Sequence, residues 1–227
     1  TSSRATKLVH GGARYLAQGN IALVREALHE RTTLLRNAPH LAQPLAFVMP
    51  SYRCWESPFY GVGLKMYDAL AGSAGLGATE FLGVQRTLQC LPTARPDGLK
   101  GGVKYWDGQF DDARLALTLA RTAARHGALL VNYCAARSLV HDAGKVSGVL
   151  CEDTETGKAY KIRARCVVNA TGVWVDALRQ QDSEATHRPV RPIVAPSQGV
   201  HVVVDREFLP SDHALMVPKT ADGRVLF

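Results

Sequence analysis

The chain has 227 residues, 46% of them hydrophobic and 21% charged, and carries a net charge of +7 at neutral pH. This is the balance of a soluble globular protein with one large core or two joined smaller ones, and no apolar run approaches the roughly 18–20 residues of a membrane span. Residues 1–20 lack the basic-then-apolar layout of a signal peptide, and the positive charges are too scattered to mark a nucleic-acid surface.

The opening stretch, TSSRATKLVHGGARYL, gathers hydroxyls, a lysine, a histidine and a glycine pair within residues 1–16. Thr1, Ser2, Ser3 and Thr6 offer donors and Lys7 a fixed charge, while Gly11 and Gly12 let backbone approach a ligand, a set that suits a polyanion or an electron-rich ring. On composition alone, a solvated tail with a glycine turn is the plainer reading.

Residues 20–38 predict an amphipathic helix with Ile21, Val24, Leu28 and Leu35 on one face, ended by Pro39. Ser57–Pro58 predicts a second helix start, continuing through Tyr67 and Leu70. Residues 72–104, rich in glycine and proline, predict loop with short helical pieces. Asp111 and Asp112 read as caps, not as a catalytic pair, of a helix burying Leu115, Ala116, Leu119, Ala120 and Ala123 and closed by Gly127. Tyr105, Trp106 and Phe110 ahead of it read as core, or as the wall of a site.

Residues 128–133 predict a strand, followed by an antiparallel meander at 135–141, 146–152 and 159–164 with turns at 142–144 and 155–157. Cys166–Asn169 predicts a short buried strand running into a turn at Thr171 and Gly172 and a helix from Trp174. Bare amides at such a turn can meet a phosphate, although an ordinary strand-to-helix turn is again the plainer reading. Further strands are expected at 198–204, 213–217 and 224–227. The order helix, strand, meander, strand, helix implies an α/β (or α+β) fold in which an antiparallel excursion interrupts a parallel sheet. The five cysteines, Cys54, Cys90, Cys134, Cys151 and Cys166, are odd in number and never in a CxxC pair, which fits a reducing cytoplasm and suggests neither a zinc site nor a disulfide framework.

Four motifs, TSSRATKLVHGGARYL, LVREALHER at 23–31, DDARL at 111–115 and VNATGVWVD at 168–176, together resemble the FAD-dependent glycerol-3-phosphate dehydrogenases and related glycerophosphate oxidases. The resemblance implies FAD as cofactor, with Thr1, Ser2, Ser3, Thr6, Lys7, His10, Gly11 and Gly12 on one side of the flavin and Ala170, Thr171 and Gly172 on the other. It implies Arg14 and Tyr15 as ligands of glycerol 3-phosphate, which is oxidised to dihydroxyacetone phosphate with quinone or oxygen as electron acceptor. Ala5 stands where the family often has serine. The implied architecture is a partial FAD-binding domain at 1–40 and 105–180, holding the meander, and a partial antiparallel-sheet substrate lobe at 41–104 and 181–227.

The family's GxGxxG pyrophosphate loop is absent from this sequence, so a middle fragment of a longer enzyme is expected, one that alone is inactive and binds FAD weakly or not at all. The quinone version implies a cytoplasmic protein peripheral to the inner face of a membrane. His10 and His201, the latter in QGVH, are candidates for the base that takes the hydroxyl proton, but a structural role is the simpler reading of each and no base is assigned. Two rivals stay open on residues alone: another flavin amine or hydroxy-acid oxidase, and a non-catalytic module binding anionic ligands through Lys7, Arg14 and the glycine loop.

Overall fold

The computed structural model describes residues 2–16, 19–196, 199–220 and 225–227, without the side chains of Ala13 and Arg14. It divides into two compact units, Thr1–Leu119 with His201–Phe227, and Ala120–Val200.

The first unit is built on a mixed sheet with helices. Its elements in chain order are β1 (Leu8–Val9), α1 (Ala13–Leu16), α2 (Ile21–Asn37), β2 (Ala42–Ser51), α3 (Glu56–Ala71), β3 (Glu80–Leu82), α4 (Val84–Cys90) and β4 (Gly101–Phe110). α5 (Asp112–Arg125) leads out of the unit and β8 (Ala214–Leu215) returns to it. The strand order is β1-β4-β2-β8, with β3 also on β4. β2 and β4 pair antiparallel along their whole length, from Ala42 opposite Phe110 to Ser51 opposite Gly101, and β8 runs parallel to β2.

Local chemistry accounts for the helix ends. The Asn20 side chain accepts from the Leu23 amide and so caps α2, and Asp111 does the same for the Arg114 amide of α5. At α3 the expected serine cap does not form. The Ser57 hydroxyl donates to that of Ser51, while the Glu56 carboxylate accepts the Tyr52 and Arg53 amides.

Alternation along β2 and β4 decides the core. Phe47, Met49, Val103 and Tyr105 pack with Leu64 of α3, and Val48, on the other face of β2, packs with Leu82, Cys90 and Leu91. Burying a side chain such as Phe47 contributes about 1.5–3 kcal/mol. On α2 the buried stripe is Val24, Leu28 and Arg31, packed in part against Tyr67 and Ala71 of α3. The stripe thus runs through an arginine, where Ile21 and Leu35 were expected. Residues 72–104 also hold more order than their glycines and prolines suggest, since β3, α4 and the first residues of β4 all fall there. Pairing of β4 with strands on both sides overrides its weak intrinsic preference.

The second unit is a meander with a helix. β5 (Cys134–Asp142), β6 (Lys145–Asp153) and β7 (Ala159–Arg163) form an antiparallel sheet, followed by a 3-10 turn at Gly172–Trp174 and α6 (Val175–Thr186). Ala143 and Gly144, both with positive φ, make the two-residue turn joining β5 to β6, the backbone that a tight hairpin requires. The Asp153 carboxylate closes the next turn by accepting the Glu155 amide and the Thr156 hydroxyl, contacts that hold its pKa below the ordinary carboxylate value. His141 on β5 meets Asp182 on α6 at 2.8 Å.

Several expected strands do not form among the described residues. Residues 128–133, 166–169 and 199–204 have no strand pairing, and Leu129, Val168 and Val203 are 89%, 82% and 96% exposed. The expectation at 213–217 reduces to β8 and a bridge from Val217 to Leu226. Likewise α5 has its amphipathic pattern but buries no residue. Apolar composition is present in each of these segments, whereas a partner strand or covering face is not.

Candidate active site

The opening loop is organised from behind by a buried polar network. Asp107 on β4 and Arg31 on α2 are 3% and 1% exposed, and their side chains meet at 2.9 Å. Asp107 Oδ1 also accepts the backbone amides of Gly11 and Gly108, each at 3.1 Å, and Oδ2 accepts the Tyr67 hydroxyl at 3.1 Å. A second Arg31 nitrogen donates to the Ala74 carbonyl at 3.1 Å. Burial pushes the Tyr67 phenol up, and the Asp107 carboxylate pushes it further, so Tyr67 stays protonated and can donate.

Gly11 is held where no side chain fits, because a Cβ there would lie 2.2 Å from the Tyr67 hydroxyl and 2.5 Å from Leu28 Cδ2. Gly12 follows with φ +74°, a backbone that favours glycine, and its carbonyl accepts the Tyr15 amide at the start of α1. Tyr15 is half-buried and packs on the Val24, Leu28 and Tyr67 cluster.

The remaining predicted residues of this loop face outward. Ser2, Ser3, Thr6 and Lys7 are exposed, and Lys7, with φ +59°, gives its carbonyl to the Phe110 amide. Thr6 Oγ1 lies 3.5 Å from His201 Nε2, so His201 comes to the hydroxyl side of the loop. His10 is exposed and stacks on Phe227, their centroids 6.3 Å apart, and Phe227 meets Phe47 edge-on. Thr1 and the Arg14 side chain lie outside the described residues. Tyr105 is core and stacks on Phe47, while Trp106 covers Gly77.

Ala170, Thr171 and Gly172 stand in the second unit. Asn169 shapes their turn, its amide donating to the Val175 carbonyl at 3.0 Å and its oxygen accepting the Thr171 hydroxyl at 2.8 Å. Gly172 has φ +61° and opens the 3-10 turn. Asp176, just beyond, accepts the amides of Ile193 and Val194 and pairs with Arg179. The Val194 amide contributes most, and together these contacts hold the Asp176 pKa below the ordinary carboxylate value.

Among the described residues the first unit also holds a cavity of about 520 Å³ at the end of β2, between Tyr52, Arg53, Trp55, Tyr60 and Lys219, and no sequence-predicted site residue lines it. Sequence reasoning missed Arg31, Tyr67 and Asp107. The one available signal was an aspartate interrupting the apolar alternation of GGVKYWDGQF.

A loop with exposed hydroxyls, a lysine and a bare glycine turn fits an anionic, ring-bearing cofactor. The whole chain, residues 1–227, matches the FAD dependent oxidoreductase family, and the chain belongs to it. Within that class it is 45% identical to the mitochondrial glycerol-3-phosphate dehydrogenase of Rattus norvegicus, over 100% of this chain and 32% of the relative. The chain therefore spans about a third of the length of the curated relatives it matches.

A solved glycerol-3-phosphate dehydrogenase from Bacillus halodurans, complexed with FAD, superposes with a TM-score of 0.66 at 31% identity, covering 99% of this chain and 36% of that one. The FAD-bound glycerophosphate oxidase of Mycoplasma pneumoniae shares the fold, with a TM-score of 0.56 at 17% identity over 80% of this chain and 46% of that one.

Proposed function

We propose that this chain forms the flavin-facing and substrate-facing walls of a glycerol-3-phosphate dehydrogenase that oxidises sn-glycerol 3-phosphate to dihydroxyacetone phosphate. The observation that carries the reading is 45% identity to a relative of that name along the whole chain, motif-bearing loop included. FAD, when bound, supplies the acceptor for the hydride of the substrate's secondary alcohol.

The protein's own residues bind and orient. In this reading Thr1, Ser2, Ser3, Thr6, Lys7 and the His10–Gly12 turn are flavin contacts, and so are Ala170, Thr171 and Gly172. Arg14 grips the substrate phosphate by charged, two-pronged hydrogen bonding, and the Tyr15 hydroxyl meets a substrate oxygen. Residues 1–40 and 105–180 make the cofactor side, and 41–104 with 181–227 the substrate side. Electrons leave to quinone or to oxygen, and the quinone branch puts the protein on the cytoplasmic, inner face of a membrane.

The test is steady-state turnover of glycerol 3-phosphate by the FAD-loaded enzyme of which this chain forms part, carrying Arg14→Ala. Hydrogen bonds to charged groups contribute about 1.5–3 kcal/mol, so kcat/KM should fall roughly 10- to 100-fold, mostly through KM. An unchanged KM removes Arg14 from the substrate, and turnover of amines in place of glycerol 3-phosphate removes the reading itself.

A further inference from the structure

We infer that Asp107 is a positioning residue for the glycine turn: its buried carboxylate, held by Arg31 and Tyr67, fixes where the Gly11 amide sits and hence where the His10–Gly12 backbone faces its ligand. The functional part of this inference rests on the reading proposed above; the structural part does not.

The geometry carries it. Asp107 is one of the few buried charged groups among the described residues, and its oxygens reach three separate places in the chain, Arg31 on α2, Tyr67 on α3 and Gly11 in the loop, besides the amide of the adjacent Gly108. Neither Arg31 nor Asp107 faces outward, so neither can itself meet a ligand that occupies the exposed side of the loop. A buried ion pair is an uncertain source of stability, and apolar residues of similar shape often replace one without loss. What apolar residues cannot do is accept the Gly11 amide, and the turn is packed so closely by Tyr67 and Leu28 that a Cβ at Gly11 would lie 2.2 Å from the Tyr67 hydroxyl. The pair therefore sets a position, and a turn whose amides are aimed before the ligand arrives has less to reorganise on binding.

Two double variants separate this role from simple support of the fold. Arg31→Met with Asp107→Asn removes both charges but keeps an oxygen facing Gly11. Arg31→Met with Asp107→Leu removes both charges and the oxygen. Amide hydrogen exchange in the flavin-free protein should show Gly11 protected in the Asn variant as in wild type, and exchanging at least ~10-fold faster in the Leu variant, while the α2 amides match in both. In the FAD-loaded enzyme of which this chain forms part, KM for glycerol 3-phosphate should follow the same division, raised in the Leu variant and kept in the Asn variant with kcat changed less.

Equal Gly11 exchange in the two variants overturns the inference. Divided exchange with no glycerol 3-phosphate turnover in any form, wild type included, leaves the positioning intact and defeats the proposed function. Divided exchange with equal KM in active enzymes shows that the turn's position does not govern substrate binding and overturns the functional half. If either double variant fails to fold, the wild-type protein decides: a scalar coupling across the hydrogen bond from the Gly11 amide to the Asp107 carboxylate supports the inference, and its absence from an otherwise assigned spectrum overturns it.

Discussion

Arg31 lies on the buried stripe of α2, in line with Val24 and Leu28, and its neighbourhood shows what a buried charge demands. Its guanidinium has Asp107, the Tyr67 hydroxyl and the Ala74 carbonyl as partners. Changing Arg31 alone to Met strands the Asp107 carboxylate, a loss of about 3–5 kcal/mol expected for breaking a buried pair from one side. Urea unfolding of the single variant should show a midpoint shift of that size with an unchanged slope, and a shift under about 1 kcal/mol would mean water reaches the carboxylate. The hydroxyls, lysine and paired glycines of the loop stand together in the sequence, where the family resemblance and not their composition singled them out. Arg31, Tyr67 and Asp107 were not legible there, since each belongs to a different element and only the fold brings them together.

At the scale of elements, period and punctuation were readable where neighbours in sequence are also neighbours in space. The α2 helix, the start of α6 and the β5–β6–β7 meander fall within a residue or two of their expected bounds, for their caps and turns are local: Asn20, the Ala143–Gly144 turn, the Asp153 turn. β3, α4 and the start of β4 were not readable, because glycine and proline signal a break only until a partner strand arrives. The opposite error came at 128–133 and 166–169, where apolar, β-branched residues predict strands that remain unpaired among the described residues. Gly148 gives an element-level test. A Cβ there would come 2.1 Å from the Ile162 carbonyl oxygen, backbone that cannot yield without parting β6 from β7. Gly148→Ala should cost about 1–3 kcal/mol by overpacking and speed amide exchange across β7, and a variant as stable as wild type would show that the meander flexes freely.

On the scale of the whole molecule, one family accounts for features that neither unit explains alone. The hydroxyl-and-glycine loop belongs to the first unit and the Asn169–Gly172 turn to the second, yet both motifs occur in order in a chain that matches the FAD dependent oxidoreductases from end to end. We propose that the alcohol oxidised by the flavin is glycerol 3-phosphate. Anaerobic mixing of the FAD-loaded enzyme of which this chain forms part with sn-glycerol 3-phosphate tests this directly, read by the visible absorbance of the flavin. Bleaching by that substrate, with glycine and proline leaving the spectrum unchanged, is the predicted result; bleaching by an amine while glycerol 3-phosphate has no effect would contradict it.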